Sequence, residues 1–350
     1  MAPSPELISV RLPTRSEGYG LSIGAVDEIA AAGANLLVTV DCGSNDHEAV
    51  ARAKAHGLDV VVFDHHQING ACPEGAIVAS AQLGETNGLK DLSAAGVAFL
   101  AVTELSRRGR PLPFGGDVAL LDLVALGAIA DVMPLKGVNR ALVRDGLQQL
   151  RRAERPGVRA LLRVAEQMPS TLTSEDVSFK LTPRLNSAGR LADPKLAFDL
   201  LMAPDVMTAN HLATELEEFN RRRRDQSKIV LDDVEEMIRR DPDRLSEPIL
   251  VFDSAQWPSG VLGAAASKLC ERFARPVVML AVEGDFVHGS ARSVPGFDIA
   301  RALDQHSHLL ERHGGHEQAA GLTLRHERLE ELSEALAASA PDELEGVVYQ

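Results

Sequence analysis

A chain of 350 residues is too long for one small core and predicts about two domains. Its 45% hydrophobic and 25% charged residues are ordinary for a soluble protein, and with aromatics at 4% aliphatic side chains must fill the cores. A formal charge of −14 argues against indiscriminate coating of nucleic acid, while leaving room for a local basic track.

In chain order, helices fit residues 22–32, 45–56 and 93–108, and strands fit 35–40, 58–63 and 75–79. This βαβ rhythm predicts a parallel sheet. Residues 116 to about 200 read mainly as helices. One of them runs through Leu120, Leu121, Leu123, Val124 and Leu126 and ends near Ile129-Ala130-Asp131, with Pro134 closing it. Residues 206–239 predict one long helix. Leu212, Leu216 and Phe219 give it one apolar stripe, and Val230, Val234 and Met237 another, while Asn220 to Lys228 holds no apolar residue. A helix apolar at both ends and polar in the middle suits a connector between domains. After Pro248 a second α/β pattern begins. Ile249–Phe252 reads as a strand, 260–273 as a helix and Pro276–Leu280 as a strand, and a glycine-bearing turn precedes Val287-His288-Gly289-Ser290. The expected architecture is α/β. A parallel-sheet domain covers 1–204, a connecting helix 205–245 and a smaller α/β domain 246–350.

No basic-then-apolar leader stands at the start of the chain. The longest apolar stretch, Val118 to Val132, is broken by Asp122 and Asp131, so no membrane span is expected. Cys42, Cys72 and Cys270 are odd in number and widely spaced. They predict neither a zinc site nor a disulfide framework, but a reducing, cytoplasmic compartment. The acids Glu327, Glu330, Glu331, Glu334, Asp342, Glu343 and Glu345 read as a solvated face, and Arg221–Arg224 as a basic cluster.

The chemistry gathers at two strand ends. Leu36-Leu37-Val38-Thr39-Val40 runs into Asp41-Cys42-Gly43, and Val60-Val61-Val62-Phe63 runs into Asp64-His65-His66. Both runs are short and β-branched, as strands buried on both faces should be. In open α/β sheets ligands bind beyond the strand C-termini, so Asp41, Asp64, His65 and His66 should converge on one cleft. Carboxylates with imidazole suit Mn²⁺ or Mg²⁺ better than structural zinc. A lone aspartate after a strand can equally cap the next helix. The Asp-His-His triplet is harder to house, because burying it costs several kcal/mol unless it is paired or metal-bound. Asp131, an acid among apolar residues at a helix end, is either a cap or a further ligand.

Arg184-Leu185-Asn186-Ser187-Ala188-Gly189-Arg190 reads as a loop able to present guanidinium groups to phosphate, or as an ordinary polar turn. His288-Gly289-Ser290-Ala291-Arg292-Ser293 and His313-Gly314-Gly315-His316 read as glycine-rich loops suited to a nucleic-acid backbone. No further close His or Cys completes zinc at His313 and His316. Gly18-Tyr19-Gly20 with Gly24 is not the dinucleotide fingerprint, and no Walker loop or nucleophile elbow is present.

Taken together in order, these segments resemble the DHH phosphoesterase superfamily, and within it the single-strand-specific 5′→3′ DNA exonucleases. The match runs from about residue 8 to 325. It includes Ser16–Leu21, Val40–Gly43, Asp64-His65-His66, Gly127–Leu135, Asn139–Arg144, Arg184–Arg190, Gly260–Gly263, Ser290–Phe297, and His313–His316 with Ala319–Gly321. The resemblance implies roles. Asp41 would bridge two Mn²⁺ or Mg²⁺ ions, and His65 and Asp131 would hold the second of them. Asp64 would orient its neighbours, and His66 would face the scissile phosphate. Tyr19, Arg184, Asn186, Arg190, Ser290, Arg292, His313 and His316 are the substrate-binding residues it implies. The implied partners are single-stranded DNA and, beyond it, a single-strand-binding protein or a helicase. No membrane is implied, and the chain is expected to be a monomer.

The sequence also departs from the family pattern. The Asp-x-Asp-Gly motif expected upstream of Glu17-Gly18-Tyr19-Gly20 is absent, and the one acid before Arg11 is Glu6. The family's terminal oligonucleotide-binding module is likewise expected to be missing from these residues. The family's Trp-His-Pro-Gly is Trp257-Pro258-Ser259-Gly260 here, and its Ser-Gly-Arg is Ser290-Ala291-Arg292. The expectation is therefore an incomplete first metal site, in a gene fragment or a degenerate homologue. Three functions follow: an exonuclease core of weak activity, a non-catalytic single-strand or partner-binding homologue, or a phosphodiesterase for short oligonucleotides or cyclic dinucleotides.

Overall fold

A computed structural model describes residues 7–14, 17–83, 88–110, 116–191 and 193–339. Glu6, Ser16, Asp342, Glu343, Glu345 and the side chain of Arg190 lie outside the described residues. The chain divides into two compact units, residues 1–220 and 221–350.

The first unit opens with α1 (Ile23–Ala31), whose N-cap Ser22 accepts the Ala25 N–H at 3.1 Å. Then follow β1 (Leu36–Val40), α2 (His47–Ala55), β2 (Asp59–Asp64) and β3 (Ala76–Ser80), giving an all-parallel sheet of order β1-β2-β3. Val40 pairs with Phe63, and the Asp41 N–H donates to Phe63 O at 2.9 Å. This register brings the two strand ends out of the sheet side by side. One sheet face packs on α1 and α2 through Val26, Leu37, Val50, Leu58, Val60 and Val62.

The expectation of strands buried on both faces fails for β1. Leu36, Val38 and Val40 are 54%, 47% and 50% exposed. The two helices cover one face, whereas on the other the packing gathers at Phe63, against Ala81, Leu92 and Val97. An alternating pattern is what one-sided cover produces.

A helical body follows: α3 (Ala94–Arg107), α4 (Leu121–Ala130), α5 (Gly137–Arg152), α6 (Pro156–Val164), α7 (Ser174–Asp176), α8 (Thr182–Leu191) and α9 (Lys195–Leu201). Helix α4 is apolar nearly all round, and Val124, Ala125, Leu126, Ala128 and Ile129 are buried. It ends where expected, with Asp131 as its C-cap. Backbones approach closely here: a Cβ on Gly146 of α5 would lie 2.2 Å from Leu121 O. Asp122 in the first turn of α4 pairs with Arg155 at 2.8 Å, the two side chains being 7% and 10% exposed.

The segment expected as a loop at Arg184–Arg190 is helix α8. A π-turn over Val177–Leu181 runs directly into it, so its glycine, Gly189, is helical and turns nothing. Helix α10 (Val206–Arg240) follows as one 35-residue element carrying Arg221–Arg224. Leu216 belongs to the core of the first unit, and Val230 and Val234 to that of the second. Asn220 and Ser227, in its polar middle, are nonetheless buried.

The second unit contains β4 (Leu250–Ser254), α11 (Leu262–Phe273), β5 (Val277–Glu283), β6 (Phe286–Arg292), α12 (Ile299–Gln305), β7 (Leu310–His316), β8 (Ala319–Arg325) and α13 (Leu329–Ser339). The sheet order is β4-β5-β6-β8-β7, parallel between β4 and β5 and antiparallel elsewhere. Apolar clusters cover both faces, one around Phe252, Leu269 and Met279, the other around Leu280, Val287 and Leu303. The two expected glycine-rich loops are strands β6 and β7. Gly289 serves packing, since a Cβ there would sit 2.6 Å from the side chains of Leu280 and Leu322. Among the described residues no helix is long and apolar enough to cross a membrane.

The Asp122–Arg155 pair ties the helix that ends at Asp131 to α6. Removing one partner of a buried pair leaves an uncompensated charge, a loss of about 3–5 kcal/mol. Asp122→Ala should lower chemical-denaturation stability by that order. A loss below about 1 kcal/mol would show that the pair is not a structural tie.

Candidate metal centre

Asp41 leaves β1 in the left-handed region at φ 69°, and Gly43 follows at φ 109°. A side chain at Gly43 would meet Thr39 Oγ1 at 2.6 Å, so only glycine lets the chain turn this tightly against the sheet. The turn aims the Asp41 carboxylate at the end of β2. There His65 Nε2 lies 3.2 Å from Asp41 Oδ1 and 3.2 Å from Asp131 Oδ2. Sheet and helical body thus each bring a carboxylate beside the His65 imidazole. His66 joins them, since ligand atoms of Asp41, His65 and His66 all lie within 4.8 Å of one another.

His65 Nε2 is buried, yet it makes no hydrogen bond despite the two nearby oxygens. The distances suit ion pairing, but the directions do not suit an N–H pointing at either acceptor. An imidazole nitrogen beside two carboxylates has the donor types of a divalent oxygen- and nitrogen-ligated ion, although among the described residues the group whose ligand atoms lie mutually within 4.8 Å is Asp41, His65 and His66, which leaves Asp131 out. The residues present fit such an ion.

The electrostatics agree. Burial raises the Asp131 pKa, the Asp41 carboxylate raises it further, and His65 and His66 oppose them.

Asp64 is 2% exposed. Its Oδ1 accepts His66 Nδ1 at 2.7 Å and the His65 N–H at 2.8 Å, while Oδ2 accepts the Ser44 N–H at 3.1 Å. Burial works against its charge, but the hydrogen bonds from His66, Ser44 and His65 outweigh burial and hold its pKa far below the usual carboxylate range. In return the Asp64 hydrogen bond raises the His66 pKa against the opposing effect of burial, with the Asp41 and Asp131 charges assisting. The Tyr19 hydroxyl donates to Asp41 O at 2.7 Å and lies 2.8 and 3.0 Å from the two ring nitrogens of His66. Burial, then the Asp64 and Asp41 charges, raise the tyrosine pKa, so it stays a neutral donor.

The remaining expected site residues stand on other elements. Arg184 on α8 is ion-paired with Glu217 at 2.5 Å, and its Nη1 donates to Lys180 O at 2.6 Å. Asn186 on the same helix is exposed. In the second unit Arg292 Nη1 donates to Ser290 Oγ at 3.3 Å and to Ala291 O at 2.7 Å, and its Nε to Ser267 Oγ at 3.2 Å. Burial lowers the Arg292 pKa. A Cβ on Gly263 would stand 3.0 Å from that guanidinium and 3.1 Å from Ser290 Oγ, so this glycine leaves the pair its space. His313 on β7 contacts Asp304 at 2.9 Å, and His316 is exposed.

Residues missed in the sequence support the loops. Asn45 donates to Gln67 O at 2.8 Å and accepts the Asn69 N–H at 2.8 Å, pinning the segment after His66. Gln82 donates to His65 O at 3.1 Å. Asp46 accepts the Leu21 N–H at 2.8 Å, against Gly20. Asn45 and Asp46 stand just beyond a strand end, which is a readable signal; Gln82 carries none.

A parallel sheet bearing Asp-His-His at its carboxyl edge, with a second α/β unit downstream, defines a DHH phosphoesterase. Residues 4–128 match the DHH family, N-terminal domain, and residues 246–340 match the DHHA1 domain. The single-stranded-DNA-specific exonuclease RecJ of Dickeya dadantii is 37% identical over 362 residues, covering 97% of this chain and 63% of the relative. A crystal structure of exonuclease RecJ bound to manganese superposes with a TM-score of 0.80 at 32% identity, covering 94% of this chain and 82% of that one. RecJ from Thermus thermophilus in complex with Mn²⁺ gives a TM-score of 0.81 at 32% identity, covering 93% of this chain and 48% of that one. The chain belongs to the RecJ family. It spans about 63% of the length of the Dickeya relative.

The depressed pKa of Asp64 has a definite sign. Its stabilisation is complete above the unfolded carboxylate pKa of about 3.9 and is lost as pH falls below that toward the folded value. Denaturation at pH 5, 4 and 3 should show stability falling below about pH 4, by at most about 1.4 kcal/mol per pH unit from this group. Asp64→Asn should reduce that slope. An unchanged slope would mean that Asp64 is not held as a buried anion.

Proposed function

We propose that this chain is the core of a divalent-metal-dependent hydrolase that removes nucleotides from the 5′ end of single-stranded DNA, in DNA repair and recombination. Membership of the RecJ family supports this, since the relatives are single-stranded-DNA-specific exonucleases and one is solved with manganese. The observation that carries it is the buried His65 Nε2, set 3.2 Å from both Asp41 and Asp131 without a hydrogen bond.

In this reading Asp41, His65 and Asp131 hold Mn²⁺ or Mg²⁺. When bound, such an ion sets positive charge against the phosphodiester and lowers the pKa of a coordinated water. The chain's own residues do the rest. Asp64 fixes the His66 ring and favours its cationic form, which faces the scissile phosphate. Tyr19 holds both the Asp41 backbone and His66 in place. Arg184, Asn186, Arg190, Ser290, Arg292, His313 and His316 bind the strand, with Ser290 and Arg292 donating to a terminal phosphate. A single-strand-binding protein or a helicase as further partner, a monomeric state and a cytoplasmic location belong to the same proposal. The free thiols of Cys42, Cys72 and Cys270 suit a reducing compartment.

A second reading is single-strand binding with feeble cleavage, which the ligands gathered among the described residues favour. Asp41, His65 and Asp131 serve one ion, whereas two-ion hydrolysis clamps both the attacking and the leaving oxygen. Loss of one electrostatic stabiliser commonly costs about 10²–10³ in rate.

Calorimetric titration with Mn²⁺ should show about one weak site, abolished in Asp131→Ala, and 5′-labelled single-stranded DNA should be shortened slowly and only with metal. Unchanged Mn²⁺ affinity in Asp131→Ala would overturn the ligand assignment. Fast processive digestion would overturn the one-ion limit, and cleavage confined to short oligonucleotides would overturn the exonuclease reading.

A further inference from the structure

Asp131 depends on more than its own helix. It caps α4, and the next residue, Val132, turns left-handed at φ 54°. The Val132 N–H donates to Ile129 O at 3.1 Å and the Met133 N–H to Ala128 O at 3.0 Å, a Schellman-type end. That position favours glycine, and a β-branched residue is strained in it. Val132 is 83% exposed, so core packing does not offset the strain. Relaxation of this turn would swing the neighbouring Asp131 carboxylate away from His65.

Asn139 holds the turn from the far side. It sits in the first turn of α5 and is 1% exposed. Its Nδ2 donates to Pro134 O at 2.9 Å, an oxygen that also accepts the Lys136 N–H at 2.9 Å. Its own Oδ1 is buried without a partner. An amide with an unmet acceptor is a poor choice for stability alone, since an apolar side chain of similar shape would avoid that desolvation. What the amide adds is one donor fixed to the exposed loop. Its platform is rigid, because α5 lies backbone to backbone on α4 at Gly146.

We propose that Asn139 is a positioning residue for the metal centre. It pins the Asp131–Lys136 turn, so that the strained Val132 keeps the Asp131 carboxylate against His65. The inference rests on the reading of Asp41, His65 and Asp131 as metal ligands. Pro134 is exposed, so without Asn139 its carbonyl turns to water, and the effect falls on the placement of Asp131 rather than on the core.

The test uses Asn139→Leu and Asn139→Ser in the 350-residue chain, with three readouts: thermal melting, calorimetric Mn²⁺ titration, and hydrogen exchange at the Val132 and Met133 amides. Leucine keeps the volume and removes both the donor and the unmet acceptor. Serine is too short to span to Pro134 O and overfills nothing. The expected result for Asn139→Leu is an unchanged melting temperature, about 10-fold or more weaker Mn²⁺ binding, and faster exchange at both amides. If leucine lowers the melting temperature, the serine variant decides on the same criteria in a folded protein. Mn²⁺ affinity within about twofold of the parent chain in the deciding variant overturns the role of Asn139 and leaves the metal centre standing. Absence of Mn²⁺ binding by the parent chain overturns the metal reading and this inference with it.

Discussion

A buried anion sets the shape of this site. Asp64 is 2% exposed and takes its hydrogen bonds from both strand-end loops, the Ser44 N–H after β1 and the His65 N–H and His66 side chain after β2. An isolated carboxylate at that depth would neutralise or force the loops open. Fully bonded, it locks them together. His65 then points one way and His66 another, and the two rings meet edge to face at 4.4 Å. The triplet divides its labour because one member is buried and the other two are steered by it.

Much of this is legible in the chain itself. The β-branched runs ending in Asp41 and Asp64 mark two parallel strands, and the order of those strands puts their carboxyl ends together. The apolar run ending at Asp131 marks a helix terminus, and the two separated stripes of 206–239 mark one long helix with an end in each core. These signals are local, and periodicity carries them. The convergence of Asp131 on His65 is not local. The resemblance to a family suggests it, and no spacing in the chain could.

The failures share a cause. Glycines at 189, 289, 314 and 315 read as loop makers, whereas Gly189 is helical and the other three lie in strands. Glycine signals two different needs, a left-handed backbone or a missing side chain, and sequence does not separate them. Gly289 answers the second need, between Leu280 and Leu322. Arg184 reads as part of a loop, whereas it stands on α8 and pairs with Glu217, 33 residues further on. The open face of β1 escapes for the same reason, since cover depends on what packs above a strand and not on the strand itself.

Left-handed backbone occurs at one carboxylate beside His65 and next to the other. Asp41 itself is left-handed at φ 69°, and Val132 beside Asp131 is left-handed at φ 54°. Non-glycine residues hold such conformations only when the surroundings over-determine them, and they cluster at functional sites. Here the surroundings are identifiable. Tyr19 and the Phe63 carbonyl hold the Asp41 backbone, and Asn139 holds the loop after Asp131. Burial, with the Asp41 charge adding to it, raises the Asp131 pKa. A divalent ion held there, as proposed, would act in the opposite direction, because it would attract both carboxylates and the His65 imidazole nitrogen. Strain, like-charge proximity and an imidazole nitrogen without a hydrogen bond are three separate penalties at one point. Under the proposed metal reading a bound cation would offset the last two directly, and the strained backbone would serve to present its ligands.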